Sequence, residues 1–427
     1  MNVLLFGSGG RESAFAWKIA QSKLLNELYI APGNPGVKEY GKCVDLKWDN
    51  FSQVRDFCLI KSIDMVIVGP EDPLVYGLAD YFSDTKSLSD IYFIGPKKQG
   101  AKLEGSKDFS KKFMQRHDIP TASYQTFGKK ELTEAVEYLK NTLGPYVLKA
   151  DGLAAGKGVV IHNDLNDAIN EITEMLHGEK FGEASSRVVV EEFLDGIEFS
   201  VFVLTDGHGY FLLPEAKDYK RIQNGDKGLN TGGMGAVSPV PFLTESILNE
   251  VKQKIIEPTI SGLSKDEIDY VGFVFFGLIH TKRGIKVIEY NCRMGDPETE
   301  VVLARINEDI MGVLKQAGEK EIITRSLKVK EETAIAVMSV SKGYPGKYAD
   351  GILVRGIEEA SKEAIIFQAG TRLEDNKILT NGGRVLCATA LDKDPSIARE
   401  KAYKSLMFID FDGGFYRTDI GKDLGIK

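Results

Sequence analysis

Histidine, cysteine and tryptophan are scarce in this chain: of 427 residues, 5 are His, 4 are Cys and 2 are Trp. Cys43, Cys58, Cys292 and Cys387 are far apart, with no C-x-x-C or metal-clip spacing. That excludes a patterned zinc site or disulfide framework, and free thiols suit a reducing compartment. The histidines are scattered and form no cluster. No apolar run approaches the roughly 18 residues of a membrane-spanning helix. The opening MNVLLFGSGGRE has no basic n-region and too short an apolar run for a signal peptide. The expected compartment is therefore cytoplasmic, with no membrane partner. An excess of positive charge is also lacking, the formal net charge being -8. This argues against nucleic acid as a partner but allows a local basic pocket for a phosphorylated small molecule.

What the chain does have is a globular composition, 43% hydrophobic and 27% charged. At about 100–200 residues per domain, its length predicts two to four domains. Strands are expected at 2–6, 27–33, 64–72 and 91–96, with a helix at about 11–22. This alternation predicts a doubly wound parallel sheet, whose ligands bind beyond the carboxyl ends of the strands. GSGGRE, APGNPG, GPED and the Gly-Pro at 95–96 all fall there. A lysine-rich helix is expected at about 104–117, then strand, glycine loop and strand over 145–162, and strands at 187–194 and 197–206. Residues 224–236 read as a long glycine-rich loop, 244–263 as a helix, and 269–280 and 284–293 as strands. Beyond about 330 the pattern is strand-rich (333–340, 352–356, 364–370 and 384–392), with a helix at 396–408.

Four motifs carry chemistry. GSGGRE at 7–12 places backbone N–H groups and a helix start where a phosphate or carboxylate can bind. A plain tight turn is one competitor. Another is a nicotinamide dinucleotide site in an oxidoreductase, but Glu12 stands where the third glycine of G-x-G-x-x-G belongs, and the second strand ends on Ala31 and Pro32 instead of an acid. KADGLAAGKG at 149–158 is not a P-loop, since only three residues separate Gly152 from Gly156 and Gly158 replaces Ser or Thr. It reads as a glycine flap whose N–H groups and Lys157 close over a polyphosphate, against a mere hairpin loop. In EEFLDGIE at 191–198, Glu198 can accept from ribose hydroxyls, a weak signal by itself. In EYNCRMGDPE at 289–298, Glu289, Asn291 and Arg293 share a strand face, and Tyr290 and Cys292 the other. A carboxylate beside an amide oxygen suits a hard cation touching phosphate. Arg293 beside them suits a developing anion, and Cys292 reads as packing.

These segments, in this order, resemble the phosphoribosylamine–glycine ligase family over nearly the whole chain. The matching stretches are GGRE at 9–12, APGNPG at 31–36, GPEDPL at 69–74, EGSK at 104–107, KADGLAAGKGV at 149–159 and EEFLDGIE at 191–198. NTGGMGA at 230–236, EYNCRMGDPET at 289–299, TNGGRVL at 380–386 and DIG at 419–421 complete the set. The resemblance implies an N-terminal α/β domain at 1–103, a two-lobed ATP-grasp domain at 104–326 with its smaller lobe at about 121–193, and a strand-rich C-terminal domain at 327–427. It implies a monomer that joins glycine to 5-phosphoribosylamine at the expense of ATP, with Mg2+ or Mn2+, in purine biosynthesis.

Position by position, the resemblance implies that Lys107, Lys149 and Lys157, with Gly152, Gly156 and Gly158, meet the ATP phosphates. Glu191, Glu192, Phe193, Leu194 and Glu198 hold adenine and ribose, and Glu289 and Asn291 hold the metal. Arg293, Lys149 and Lys157 are the expected catalytic residues. Gly9, Gly10, Arg11, Glu12, Gly69, Pro70, Glu71 and Asp72 are expected to bind substrate, with Asn230, Gly232, Gly233, Arg293, Asp296 and Glu298. Two departures stand out. Ser13 and Tyr219 occupy positions where the family often has His, so neither is given an acid–base role. The ATP-grasp class often has a further metal carboxylate on the preceding strand, where FVFFGLI offers none. A nucleotide sensor without turnover is the non-enzymatic alternative.

Overall fold

The computed structural model describes residues 1–153, 158–177 and 186–427. The apolar runs Asn2–Gly7, Glu27–Pro32 and Met65–Val68 are buried in the interior of a five-stranded parallel sheet. Its order is Lys42–Cys43, Glu27–Pro32, Asn2–Gly7, Met65–Val68, Tyr92–Ile94. Burial on both faces is what a parallel sheet under helices demands. The edge strand Lys42–Cys43 is too short and polar to show in the hydrophobic pattern. The first helix spans Gly10–Ile19. The helix expected at 104–117 is two, Lys98–Gly105 and Lys107–Arg116. Ser106 breaks them: its backbone is extended, and its hydroxyl accepts from the Phe109 N–H at 3.1 Å as an N-cap.

A four-stranded antiparallel sheet follows, ordered Tyr124–Gly128, Arg187–Glu192, Tyr146–Ala150, Val159–His162. Helices Leu132–Lys140 and Leu165–His177 complete its separate small core. The larger lobe is built on the long antiparallel pair Gly196–Thr205 and Gly272–Thr281, with Gly284–Asn291 at one edge. The helix expected at 244–263 runs as Glu245–Val251, a π turn Lys252–Ile256 and Glu257–Lys265.

The last sheet is ordered Lys217–Asp218, Gly235–Ser238, Thr333–Val340, Arg384–Asp392, Ile365–Gln368, with helix Pro395–Leu406 packed on it. Its first two strands come from within the central part of the chain. The long loop expected at 224–236 is partly a hairpin, Arg221–Gln223 against Lys227–Asn230. Gly225 and Asp226 turn it with φ of 69° and 52°, a conformation that Gly and Asp tolerate. The strand expected at 352–356 is reduced to isolated bridges at Leu353 and Arg355.

Candidate active site

The nucleotide end is assembled around one buried carboxylate. Lys149 and Glu191 sit on neighbouring antiparallel strands, two positions out of register and therefore on one face. The Lys149 Nζ lies 2.9 Å from Glu191 Oε2 and 3.4 Å from the Ile288 carbonyl. A second ammonium, Lys111 of helix Lys107–Arg116, reaches the same oxygen at 3.0 Å and donates to Thr121 Oγ1 at 2.8 Å. Burial works to raise the Glu191 pKa, but Lys149 and Lys111 hold it below its ordinary value. Burial presses Lys111 down to about 8. Lys107 donates to the Gly152 carbonyl at 3.4 Å; burial lowers its pKa against the pull of Glu289. The structure places Lys107 near enough to Lys149 for their charges to interact and adds Lys111, which is only one lysine among several in its helix. The Gly158 carbonyl accepts from Ala150 N–H at 2.8 Å. Gly156 and Lys157 lie outside the described residues.

Glu192 points to the other face, where Arg283, Lys286 and the Ser123 N–H engage it. Against the effect of burial, these partners hold it at about 2. Phe193 is exposed and Leu194 half-buried in the turn before Gly196–Thr205. Glu198 is exposed, with Lys220 Nζ 2.8 Å away holding its carboxyl low. Lys220 and its neighbour Asp218, whose pKa burial raises, were not singled out from the sequence.

Glu289 and Asn291 are half-buried on the edge strand, and Tyr290 and Cys292 are buried in the core on the other side. Burial pushes the Cys292 thiol well up, which fits packing and not nucleophilic attack. Gly277 lies opposite Glu289, so the preceding strand offers no carboxylate there. Among the described residues, no three His, Cys, Asp or Glu converge as a metal cluster. Two adjacent oxygen donors facing lysines fit a cation that takes one or two protein oxygens and completes its shell from phosphates and water.

Arg293 lies beyond the end of that strand and turns toward the first domain. Its guanidinium meets Glu71 at 3.3 Å and Glu104 at 2.7 Å. Glu104 also accepts the Cys292 N–H at 2.8 Å. Burial pushes the Glu104 carboxyl up against the pull of Arg293; for Glu71, Arg293 and Arg11 outweigh burial and draw it down. Glu12 caps its own helix, accepting from Gly9 N–H and Arg11 Nε at 2.7 Å each. A Cβ at Gly69 would lie 1.9 Å from Glu12 Oε1, so the Gly69-Pro70 turn and the GSGGRE turn fit only with glycine there. The Glu12 side chain also crowds Gly7, filling space that a dinucleotide turn keeps open.

A cleft of about 670 Å³ opens beside these turns, between Ser8, Gly9, Asn34 and Asp296 on one side and Gly370 and Arg384 on the other. Arg384 binds Asp296 Oδ1 at 2.9 Å and the Gly232 carbonyl at 2.7 Å. Gly233 has φ +120°, and a Cβ there would strike Pro297 at 2.4 Å. Gly10 lies against Glu300, which is 0% exposed and whose carboxylate oxygens have no hydrogen-bond partner among the described residues. Glu298, buried at the start of its helix, is pushed up to about 8 by burial and Asp218. Asp72 and Asn230 are exposed. The C-terminal side of the cleft had its signal in TNGGRVL, which carried the resemblance without a residue role. Of the two departures, Ser13 donates to the Gln368 carbonyl at 2.5 Å and accepts from Asn34, and Tyr219 is buried among C-terminal residues.

Two lobes closing on clustered lysines, with a Glu–Asn pair on the edge strand between them, define the ATP-grasp class. Family profiles of phosphoribosylglycinamide synthetase match in series: the N domain over 1–104, the ATP-grasp (A) domain over 105–299 and the C domain over 334–423. The chain is 42% identical over 422 residues to a phosphoribosylamine–glycine ligase of Clostridium acetobutylicum, covering 99% of this chain and 100% of that one. The solved phosphoribosylamine–glycine ligase of Thermotoga maritima superimposes with a TM-score of 0.84 at 32% identity, covering 98% and 100% of the two chains. The biotin carboxylase domain of Hydrogenobacter thermophilus 2-oxoglutarate carboxylase, solved with MgADP, shares the fold with a TM-score of 0.71 at 17% identity over 99% and 97%. The chain belongs to the phosphoribosylglycinamide synthetase family.

Proposed function

We propose that the chain is an ATP-dependent ligase that joins glycine to 5-phosphoribosylamine, giving glycinamide ribonucleotide, ADP and phosphate in purine biosynthesis. The observation that carries this reading is Arg293. It follows the strand bearing Glu289 and Asn291, yet its guanidinium is held by Glu71 and Glu104 at the first domain. It therefore connects the nucleotide end to the anion-binding turns.

A carboxylate is a poor acyl donor because its leaving group would be oxide. Attack of the glycine carboxylate on the ATP γ-phosphate releases ADP and gives glycyl phosphate. The phosphoribosylamine nitrogen then attacks the acyl carbon, phosphate leaves, and the nitrogen sheds a proton. Such transfers rest on positioning and charge neutralisation more than on a covalent protein nucleophile. Lys107 and Lys149 supply cations for the phosphates, and Arg293 supplies one for the acyl phosphate. Glu191 and Leu194 border adenine, and Glu198 the ribose. The cleft by Gly9, Asp296 and Arg384 receives the phosphoribosyl group. Glu289 and Asn291 would hold Mg2+, or Mn2+ in its place, which supplies charge neutralisation at the phosphates.

No helix among the described residues is long and apolar enough to cross a membrane; a cytoplasmic location and a monomeric state are part of the same proposal. The test is ADP release with glycine and phosphoribosylamine, each omitted in turn. Release should need both, or be far faster with both. Equal release with unrelated acids overturns the assignment.

A further inference from the structure

Tyr219 and the DIG segment that ends at Gly421 are used by neither the nucleotide end nor the cleft, yet they meet. Tyr219 is 1% exposed. Its hydroxyl donates to Asp423 Oδ1 at 2.5 Å and accepts the Gly421 N–H at 3.0 Å. The other oxygen of Asp423 holds the Lys217 ammonium at 3.0 Å, and that ammonium lies 3.9 Å from the Tyr219 ring centre. Arg417, also 1% exposed, lies over the same ring at 5.2 Å. It pairs with both oxygens of Asp419 at 2.8 Å, with Asp226 at 2.7 Å and with the Arg221 carbonyl at 3.1 Å. The tail is fixed from behind. Tyr403 donates to the Arg417 carbonyl at 2.9 Å, and Arg399 to the Ile420 carbonyl at 2.9 Å, both from helix Pro395–Leu406.

The tail thus grips the segment 217–226 at two places. In extended chain, successive side chains point to opposite sides, so a buried Tyr219 turns Asp218 and Lys220 the other way. There Lys220 meets Glu198 at 2.8 Å. A one-residue slip would reverse the arrangement.

We propose that Tyr219 is a positioning residue, and that the C-terminal tail acts through it to aim Lys220 at the nucleotide end. The inference rests on the reading of that end as the ATP site. Tyr219→Phe keeps the ring and removes the hydroxyl. Losing one hydrogen bond to a charged group corresponds to a change of about tenfold. ATP binding, titrated directly on the full chain at saturating magnesium, should weaken by about that factor. The KM for glycine should stay within about twofold, and hydrogen exchange should rise over 217–230 while staying level over 2–7. Asp423→Asn should produce the same split, and the double variant should be little worse than the worse single one. Asp423→Asn alone carries the test if Tyr219→Phe does not fold. A lowered melting temperature with unchanged ATP affinity in either folded variant overturns the proposal. If the wild-type chain binds ATP but shows no ADP release dependent on glycine and phosphoribosylamine, the ligase reading fails and the positioning proposal is still decided by the binding titration.

Discussion

Glu289 and Asn291 lie two residues apart on an edge strand, and the metal proposed there would meet two protein oxygens rather than a full cage. Glu289→Gln keeps the shape and removes the negative charge. Removing one such electrostatic element costs on the order of 10²–10³-fold in rate, and that loss is expected in kcat, with partial recovery at high magnesium. Asn291→Leu should do similar damage without recovery. Near-normal turnover of Glu289→Gln at low magnesium would move the metal elsewhere, with Asp296 and Glu298 next. Lys111 gives a pH signature. Its folded pKa of about 8 lies below the ordinary 10.5, so between those values the unfolded chain binds more protons at this site and stability rises with pH. Lys111→Met should flatten that rise in denaturant midpoints measured from pH 8 to 10.5; an unchanged slope would show that the ammonium is not displaced by burial. The Glu289–Asn291 pair was legible in the sequence because alternation along a strand is local. Glu104 was not: it meets the Cys292 backbone 188 residues away, and nothing in the EGSK motif says which way its carboxylate points. Lys111 and Lys220 were hidden for the same reason, since a lysine on a helix or strand reads as solvated until the fold supplies its partner.

At the scale of elements, the parallel sheet and its turns could be read directly from the buried runs NVLLFG, ELYIAP and MVIV and the glycines that follow them. Boundaries could not. Ser106 splits the helix because its hydroxyl is better placed as a cap than in a helix interior, and Gly105 before it is a poor helix former. The strand Lys227–Asn230 falls inside the loop expected at 224–236 because it is polar and exposed, so no apolar alternation marks it. The close approach of the GSGGRE and GPED turns makes a further prediction. Gly69→Ala would put a methyl against the buried Glu12 carboxylate and should cost about 1–3 kcal/mol by overpacking. Denaturant unfolding reads this directly, and a midpoint equal to wild type would mean that Glu12 can move aside without loss.

At the scale of the whole molecule, an N-terminal parallel sheet, a two-lobed centre and a strand-rich end were all visible in the sequence. The seam between the last two was not, because Lys217–Asp218 and Gly235–Ser238 are short and join a sheet whose remaining strands begin at Thr333. A linear reading assigns segments to neighbours in sequence, and this sheet does not respect that. The two ends of the Tyr219–Asp423 bond are 204 residues apart. During synthesis the ribosome therefore delivers Tyr219 long before the tail that holds it. The nascent chain therefore carries an unpaired edge at Gly235–Ser238 until Thr333–Val340 emerges to pair with it.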